Sequence, residues 1–114
     1  MSHRNRNPGA AVGGRARVFA ALGDETRLQL VITLSVGKPR SISQLTEGSK
    51  LTRQAISKHL GVLRQAGMVR STRAGRERLF EFDPRPIAGV RDYLDYVSAQ
   101  WDQALARLKA FVED

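Results

Sequence analysis

A mostly α-helical fold carrying one small β-hairpin is what the sequence predicts, and three stretches predict it. Residues 51–67 hold a helix with both ends marked. Residues 68–82 change from helical to alternating periodicity around a glycine turn. Residues 85–114 carry an unbroken heptad pattern.

The first stretch organises the rest. Thr52 stands as an N-cap, its hydroxyl free to accept an orphan amide of the first turn. Leu51 and Ile56 have hydrophobic-staple spacing, and Gly67 suits the left-handed residue that ends a helix. At about 100° per residue, Ile56, Leu60 and Leu63 form one apolar stripe. Gln54, Ser57, Lys58, Gly61 and Gln65 fall roughly opposite, with Arg53 at the near edge. That outer face holds no acid. It offers amides, a hydroxyl and cations, the groups that contact base edges and phosphates in a major groove. Gly61 costs on the order of 1 kcal/mol relative to Ala, a cost explained by a close approach of duplex or backbone, or by drift. An ordinary amphipathic surface helix has the same stripe, so the flanking segments decide.

The charge balance points the same way. The chain of 114 residues is long enough for one domain and one modest core. Its net charge of +8 is unevenly spread: residues 1–78 carry +11 and residues 79–114 carry −3. A basic front and a mildly acidic tail fit a polyanion-binding module joined to a segment with another task; arginine-rich genome composition is the plain alternative. Cysteine is absent, which excludes disulfides, thiolate metal ligands and thiol redox switching. No run approaches the ~18 apolar residues of a membrane span, and the N-terminus lacks a signal-peptide core. The expectation is a soluble cytoplasmic protein.

In chain order, residues 1–14 have no periodic pattern and read as a flexible basic arm, with Arg4 and Arg6 placed either to touch phosphate or to keep the terminus soluble. Arg15 to Leu22 reads as a short helix. Asp24 caps the next, and Glu25 suits its positive end. Leu28, Val31, Ile32 and Leu34 to Val36 give that helix a broad apolar face, and Gly37 and Pro39 stop it. Ser43 caps a short helix carrying Leu45, and Gly48 ends it. A short helix, a tight turn and a helix with a cationic polar face make a helix-turn-helix. Met68–Arg73 and Glu77–Phe82 then read as strands joined at Ala74-Gly75-Arg76. The tip carries Arg70, Arg73, Arg76 and Arg78. A basic hairpin after a recognition helix is a wing, placed to straddle phosphates or enter the minor groove. Solvated surface arginines are the plainer reading.

The last segment starts at Pro84 or Pro86, with Asp83 as a cap and proline suited to the first helical position. Ile87, Leu94, Trp101 and Leu108 recur every seven residues, and Val90, Val97, Ala104 and Phe111 follow three positions later. A helix of ~27 residues is ~40 Å long, more than so small a domain covers. A second chain is the expected cover, through Ile87, Val90, Leu94, Val97, Trp101, Leu105 and Leu108. Packing on the chain's own N-terminal helix is the alternative for part of the length.

Other chemistry finds little support. His3 sits in the arm, and His59 lies on the inner flank of the recognition helix, where a packed or hydrogen-bonded histidine is the expectation. Two isolated histidines without cysteine make no transition-metal site. Asp92, Asp95 and Asp102 read as a solvated edge or as partners of Arg91 and Arg107. No phosphate loop and no nucleophile–base pair is present, so no metal, no cofactor and no enzymatic activity are expected.

Residues 19–28, Phe-Ala-Ala-Leu-Gly-Asp-Glu-Thr-Arg-Leu, resemble the opening signature of the ArsR/SmtB-type winged-helix repressors. Residues 55–69 are similar to their recognition helix and its exit, and Gly75-Arg76 with Phe80-Glu81-Phe82 to their wing. The resemblance implies a homodimer, paired through the N-terminal and long C-terminal helices, that binds an inverted-repeat operator until a small-molecule or protein effector releases it. Many members sense metals through a Cys-x-Cys pair where this chain has Ser41 and Ser43. Others use histidine and acids on the last helix, which here has no histidine. The long Trp-containing helix is similar to a metal-independent branch.

The reading is therefore a flexible arm at 1–14, a winged helix-turn-helix DNA-binding domain at 15–84 and a dimerisation helix at 85–114. Gln54, Ser57 and Lys58 are expected to face bases, and Thr52, Arg53, Arg73, Arg76 and Arg78 to hold phosphates. The alternative is a winged-helix module that docks a regulatory protein instead of DNA.

Overall fold

In chain order the elements are α1 (Pro8–Leu22), α2 (Glu25–Ser35), β1 (Arg40–Ser41), α3 (Ile42–Thr46), α4 (Arg53–Gln65), β2 (Val69–Ala74), β3 (Glu77–Phe82) and α5 (Arg85–Glu113). The computed structural model describes residues 8–113, with side chains from residue 14 onward. Arg4, Arg6 and His3 lie outside the described residues. The first helix begins earlier than periodicity indicates. It starts at Pro8, inside the stretch read as an arm, where a fixed φ and a missing amide cost a first helical turn nothing.

Local chemistry sets most boundaries. Asp24 accepts the Arg27 amide and caps α2. Thr52 accepts the Ala55 amide and caps α4. Gly48, Gly67 and Gly75 all have positive φ, and Gly67 lets the Met68 amide turn back to the Leu63 carbonyl at 3.0 Å. The short helix α3 corrects the expectation for Ser43. Its cap is Ser41, in a capping box: Gln44 N donates to Ser41 Oγ at 3.2 Å, and Ser41 N donates to Gln44 Oε1 at 2.9 Å.

The sheet has three strands in the order β1-β3-β2, all antiparallel. The two-residue strand β1 was not legible in the sequence; it pairs Arg40 with Phe80 and Ser41 with Leu79. The hairpin register runs from Val69↔Phe82 to Ala74↔Glu77, which leaves Gly75 and Arg76 as a two-residue loop. A glycine with positive φ in the first loop position matches the turns whose twist suits a hairpin.

The core lies where α1, α2, α4 and the base of the hairpin meet. Ile56, Leu60 and Leu63 of α4 are buried against Leu30, Leu34, Met68, Val69 and Phe80. On α2 the buried stripe is Leu30 and Leu34, while Leu28, Ile32 and Val36 are exposed. This helix is apolar on several sides, and packing selects which side is used.

Helix α5 divides in two. Val90 is buried among the core side chains and the half-buried Ile87 packs against them, so these two heptad positions contribute to the chain's own core. Tyr93 meets Phe19 of α1 edge-on, ring centroids 6.3 Å apart, and the Arg15 guanidinium lies 5.0 Å from the Tyr93 centroid. Beyond that contact Leu94, Trp101, Leu105, Leu108 and Phe111 are exposed, while Val97 and Ala104 are half-buried. The radius of gyration is 18.7 Å, against ~13 Å for a compact chain of this length.

Candidate nucleic-acid interface

Recognition helix and wing stand on opposite ends of one short hinge. Helix α4 ends at Gln65, and Ala66, Gly67 and Met68 turn the chain directly into β2. Burying Ile56, Leu60 and Leu63 fixes how α4 is rotated. That rotation leaves Gln54, Ser57 and Lys58 exposed, and together with Thr52 and Ala55 they border one shallow open depression. The three side chains expected to face bases are thus brought together on one outer surface.

The residues expected to hold phosphates are less uniform. The Thr52 hydroxyl oxygen already accepts the Ala55 amide at 3.1 Å, which leaves its proton to donate outward. Arg53 Nη1 donates to Ser43 Oγ at 2.6 Å, so Arg53 is held at the α3–α4 junction. Both hydroxyls at the positions resembling a metal-binding pair are therefore employed within the fold: Ser41 in the capping box and Ser43 as the acceptor for Arg53.

On the hairpin, Arg73, Arg76 and Arg78 are all exposed. Arg78 Nη1 donates to Ser71 Oγ at 3.1 Å. Arg73 and Arg78 are directly opposed in the β2–β3 register, an arrangement of like charges that costs stability unless an anion sits between them. Arg70 does not belong with them. It lies on the other face, opposite Glu81, with Nη2 3.5 Å from Glu81 Oε1 and Nη1 3.8 Å from Asp83 Oδ2. The tip is basic through three arginines, while the fourth is neutralised at the base.

Asp83 closes that base. Its carboxylate is buried, accepts the Arg85 amide at 3.1 Å, and pairs with the Arg85 guanidinium through both oxygens. The Arg85 side-chain bonds, then the Arg85 amide, hold the carboxyl well below its ordinary range against the opposing effect of burial. This ion pair joins the end of the wing to the start of α5.

Sequence reasoning missed three supports: Ser43 beneath Arg53, Ser71 beneath Arg78, and Arg27 beside the recognition helix. Ser71 was open to inference, because it lies two residues from Arg73 on the same strand face as Arg78. The other two depend on how separate helices pack. His59 is partly buried, as its inner-flank position implies, and Arg27 Nη1 donates to its Nδ1 at 3.2 Å. Among the described residues, no group of three or more His, Asp and Glu side chains converges as a metal site, and no helix is long and apolar enough to cross a membrane.

Comparison with known proteins agrees with this architecture. Residues 24–71 match the model of the bacterial regulatory protein, arsR family. The chain is 38% identical over 84 residues to the uncharacterized HTH-type transcriptional regulator YuzN of Bacillus subtilis, covering 68% of this chain and 91% of that protein. It is 36% identical over 89 residues to the HTH-type transcriptional regulator Rv2034 of Mycobacterium tuberculosis, covering 78% and 79%. The structure is similar to that of an ArsR-like transcriptional regulator from Rhodococcus sp. RHA1, with a TM-score of 0.82 at 34% identity, covering 94% of this chain and 97% of that one. The fold alone is shared with a homodimeric winged helix-turn-helix DNA-binding domain from Mycobacterium bovis, at a TM-score of 0.64 and 22% identity. The capped recognition helix, the basic two-stranded wing and these relatives lead to one assignment: the chain belongs to the arsR family of winged helix-turn-helix transcriptional regulators.

Proposed function

We infer that this regulator is a cytoplasmic homodimeric repressor that binds an inverted-repeat operator in duplex DNA and is not an enzyme. The observation that carries the reading is the shared exposure of Gln54, Ser57 and Lys58 on α4 beside the opposed arginines Arg73 and Arg78 on the wing. Gln54, Ser57 and Lys58 read base edges in the major groove. Thr52, Arg53, Arg73, Arg76 and Arg78 hold phosphates on either side. The dimer forms through α1 and the projecting half of α5, where Leu94, Val97, Trp101, Leu105 and Leu108 meet their counterparts. The homodimeric domain from M. bovis has the same fold. Two symmetry-related α4 helices then address half-sites about one helical turn apart. An effector, small molecule or protein, releases the operator. The acid-free recognition face favours DNA over a protein partner. Selection of bound duplexes from a randomised pool tests the reading: enrichment of an inverted repeat supports it, and recovery of no preferred sequence overturns it.

A further inference from the structure

Arg27 bonds to three elements at once. Its amide donates to Asp24 Oδ2 at the start of α2, at 3.0 Å. Its Nε donates to the Ala21 carbonyl at 2.6 Å and Nη2 to the Ala20 carbonyl at 3.4 Å, both in the last turn of α1. These are carbonyls that a helix end leaves without partners of its own. The remaining arm, Nη1, reaches His59 Nδ1 at 3.2 Å in the middle of α4. A guanidinium only donates, so in this contact Nδ1 is the acceptor. His59 Nδ1 also lies 3.8 Å from Asp24 Oδ2. One side chain thus ties the end of the N-terminal helix to the inner flank of the helix whose outer face carries Ser57 and Lys58.

We propose that Arg27 and His59 form the joint that sets the recognition helix against α1, and that His59 is a positioning residue for sequence reading. The proposal rests on the DNA-reading function inferred above. The physical reason is the difference in tolerance between two kinds of contact. Base-edge bonds from α4 need a fixed pitch and depth in the groove. Phosphate contacts from long arginine side chains follow small displacements. In a dimer built on α1 and α5, the α1–α4 joint also fixes the separation of the two reading helices. Loosening it costs selectivity while leaving non-specific attraction intact.

Two near-isosteric substitutions separate a positioning bond from packing. His59→Asn keeps an acceptor at the position of Nδ1, and His59→Leu has the same branched shape without it. His59→Phe, tested in parallel, keeps an aromatic ring without the acceptor. Each is titrated against the duplex that the wild-type protein enriches from a randomised pool and against a scrambled duplex of equal length, with a thermal melt of each protein. The expected result is that His59→Asn binds the enriched duplex within about twofold of wild type. His59→Leu and His59→Phe should bind it roughly tenfold more weakly, the equivalent of one hydrogen bond, with scrambled-duplex affinity unchanged. Equal selectivity in all three variants and wild type overturns the proposal, as does an equal loss in Asn and Leu. Loss of folding in both Leu and Phe variants makes His59 a residue of the fold and also overturns it. A wild-type protein that discriminates no duplex removes the functional reading itself, a different failure from wild-type selectivity that His59→Leu retains.

Discussion

Arg73 and Arg78 face each other across the β2–β3 pair, on the strand face that lower down carries Val69 and Phe80. Neither forms an ion pair among the described residues, whereas Arg70, three positions before Arg73 and on the other face, is matched by Glu81 and Asp83. The hairpin therefore compensates its cation at the base and leaves two cations opposed at the tip. Such a pair is unfavourable in the free protein and favourable on a polyanion.

Arg73→Ala and Arg78→Ala should each weaken binding to enriched and scrambled duplexes by similar factors. Each should lower the slope of log affinity against log salt by about 0.9. The free protein should melt no lower than wild type, because relief of a like-charge pair is worth a few tenths of a kcal/mol. Titrations across a salt series together with melts check both parts. An unchanged salt slope removes the wing from the phosphate contacts.

Trp101→Ala should shift the protein toward monomer. The indole is 64% exposed in the single chain, so its removal should barely change the folding of that chain. A partner that covers it would lose on the order of 3–5 kcal/mol of packing per buried indole. Sedimentation equilibrium measures this. A variant that stays as dimeric as wild type at nanomolar concentration assigns the interface elsewhere.

Asp83→Asn should destabilise the protein at neutral pH. The folded carboxyl is held below its ordinary value of 3.8 by Arg85. A depressed carboxylate contributes stability that is full above the unfolded value and is lost as pH falls through the folded one. The gap in melting temperature between wild type and Asp83→Asn should thus be constant from about pH 5 to 8 and narrow as pH falls below ~4. A gap that widens in acid contradicts the ion pair at the wing's base.

Micromolar zinc, cadmium or arsenite should leave affinity for the enriched duplex unchanged. The chain has no thiolate to offer, and the hydroxyls of Ser41 and Ser43 serve a helix cap and Arg53. Hydroxyls and scattered carboxylates do not compete for such ions as thiolate or imidazole clusters do. Metal-dependent loss of duplex binding, with stoichiometric uptake, contradicts this.

What was legible in the sequence was what local chemistry decides. Thr52, Gly67 and Gly75 act through their own backbone and a neighbour three or four residues away, so their roles could be read directly. The Ser41 cap was legible by the same rule, since Ser41-Ile42-Ser43-Gln44 has capping-box spacing, whereas the pairing of Ser41 with Leu79, 38 positions along the chain, was not. On α2, Leu28, Ile32, Leu30 and Leu34 are equally apolar, and only the placement of α4 decides that the last two are buried. The heptad of α5 likewise shows that a helix will be covered without showing by what. Ile87 and Val90 meet the chain's own core, and the positions from Leu94 onward do not. The exposure of Gln54, Ser57, Lys58 and Gln65 on α4 was foreseeable, since burial of Ile56, Leu60 and Leu63 turns them outward.

If the exposed face of α4 reads sequence as proposed, the selectivity of Gln54→Ala, Ser57→Ala and Lys58→Ala must change position by position. Affinity of each variant is measured for the enriched duplex and for every single-base-pair change within one half-site. Each variant should lose discrimination at one or two positions, by about 1–3 kcal/mol where a bidentate contact is removed, while preference elsewhere and binding to scrambled duplex persist. Variants that keep the wild-type preference at every position would contradict it.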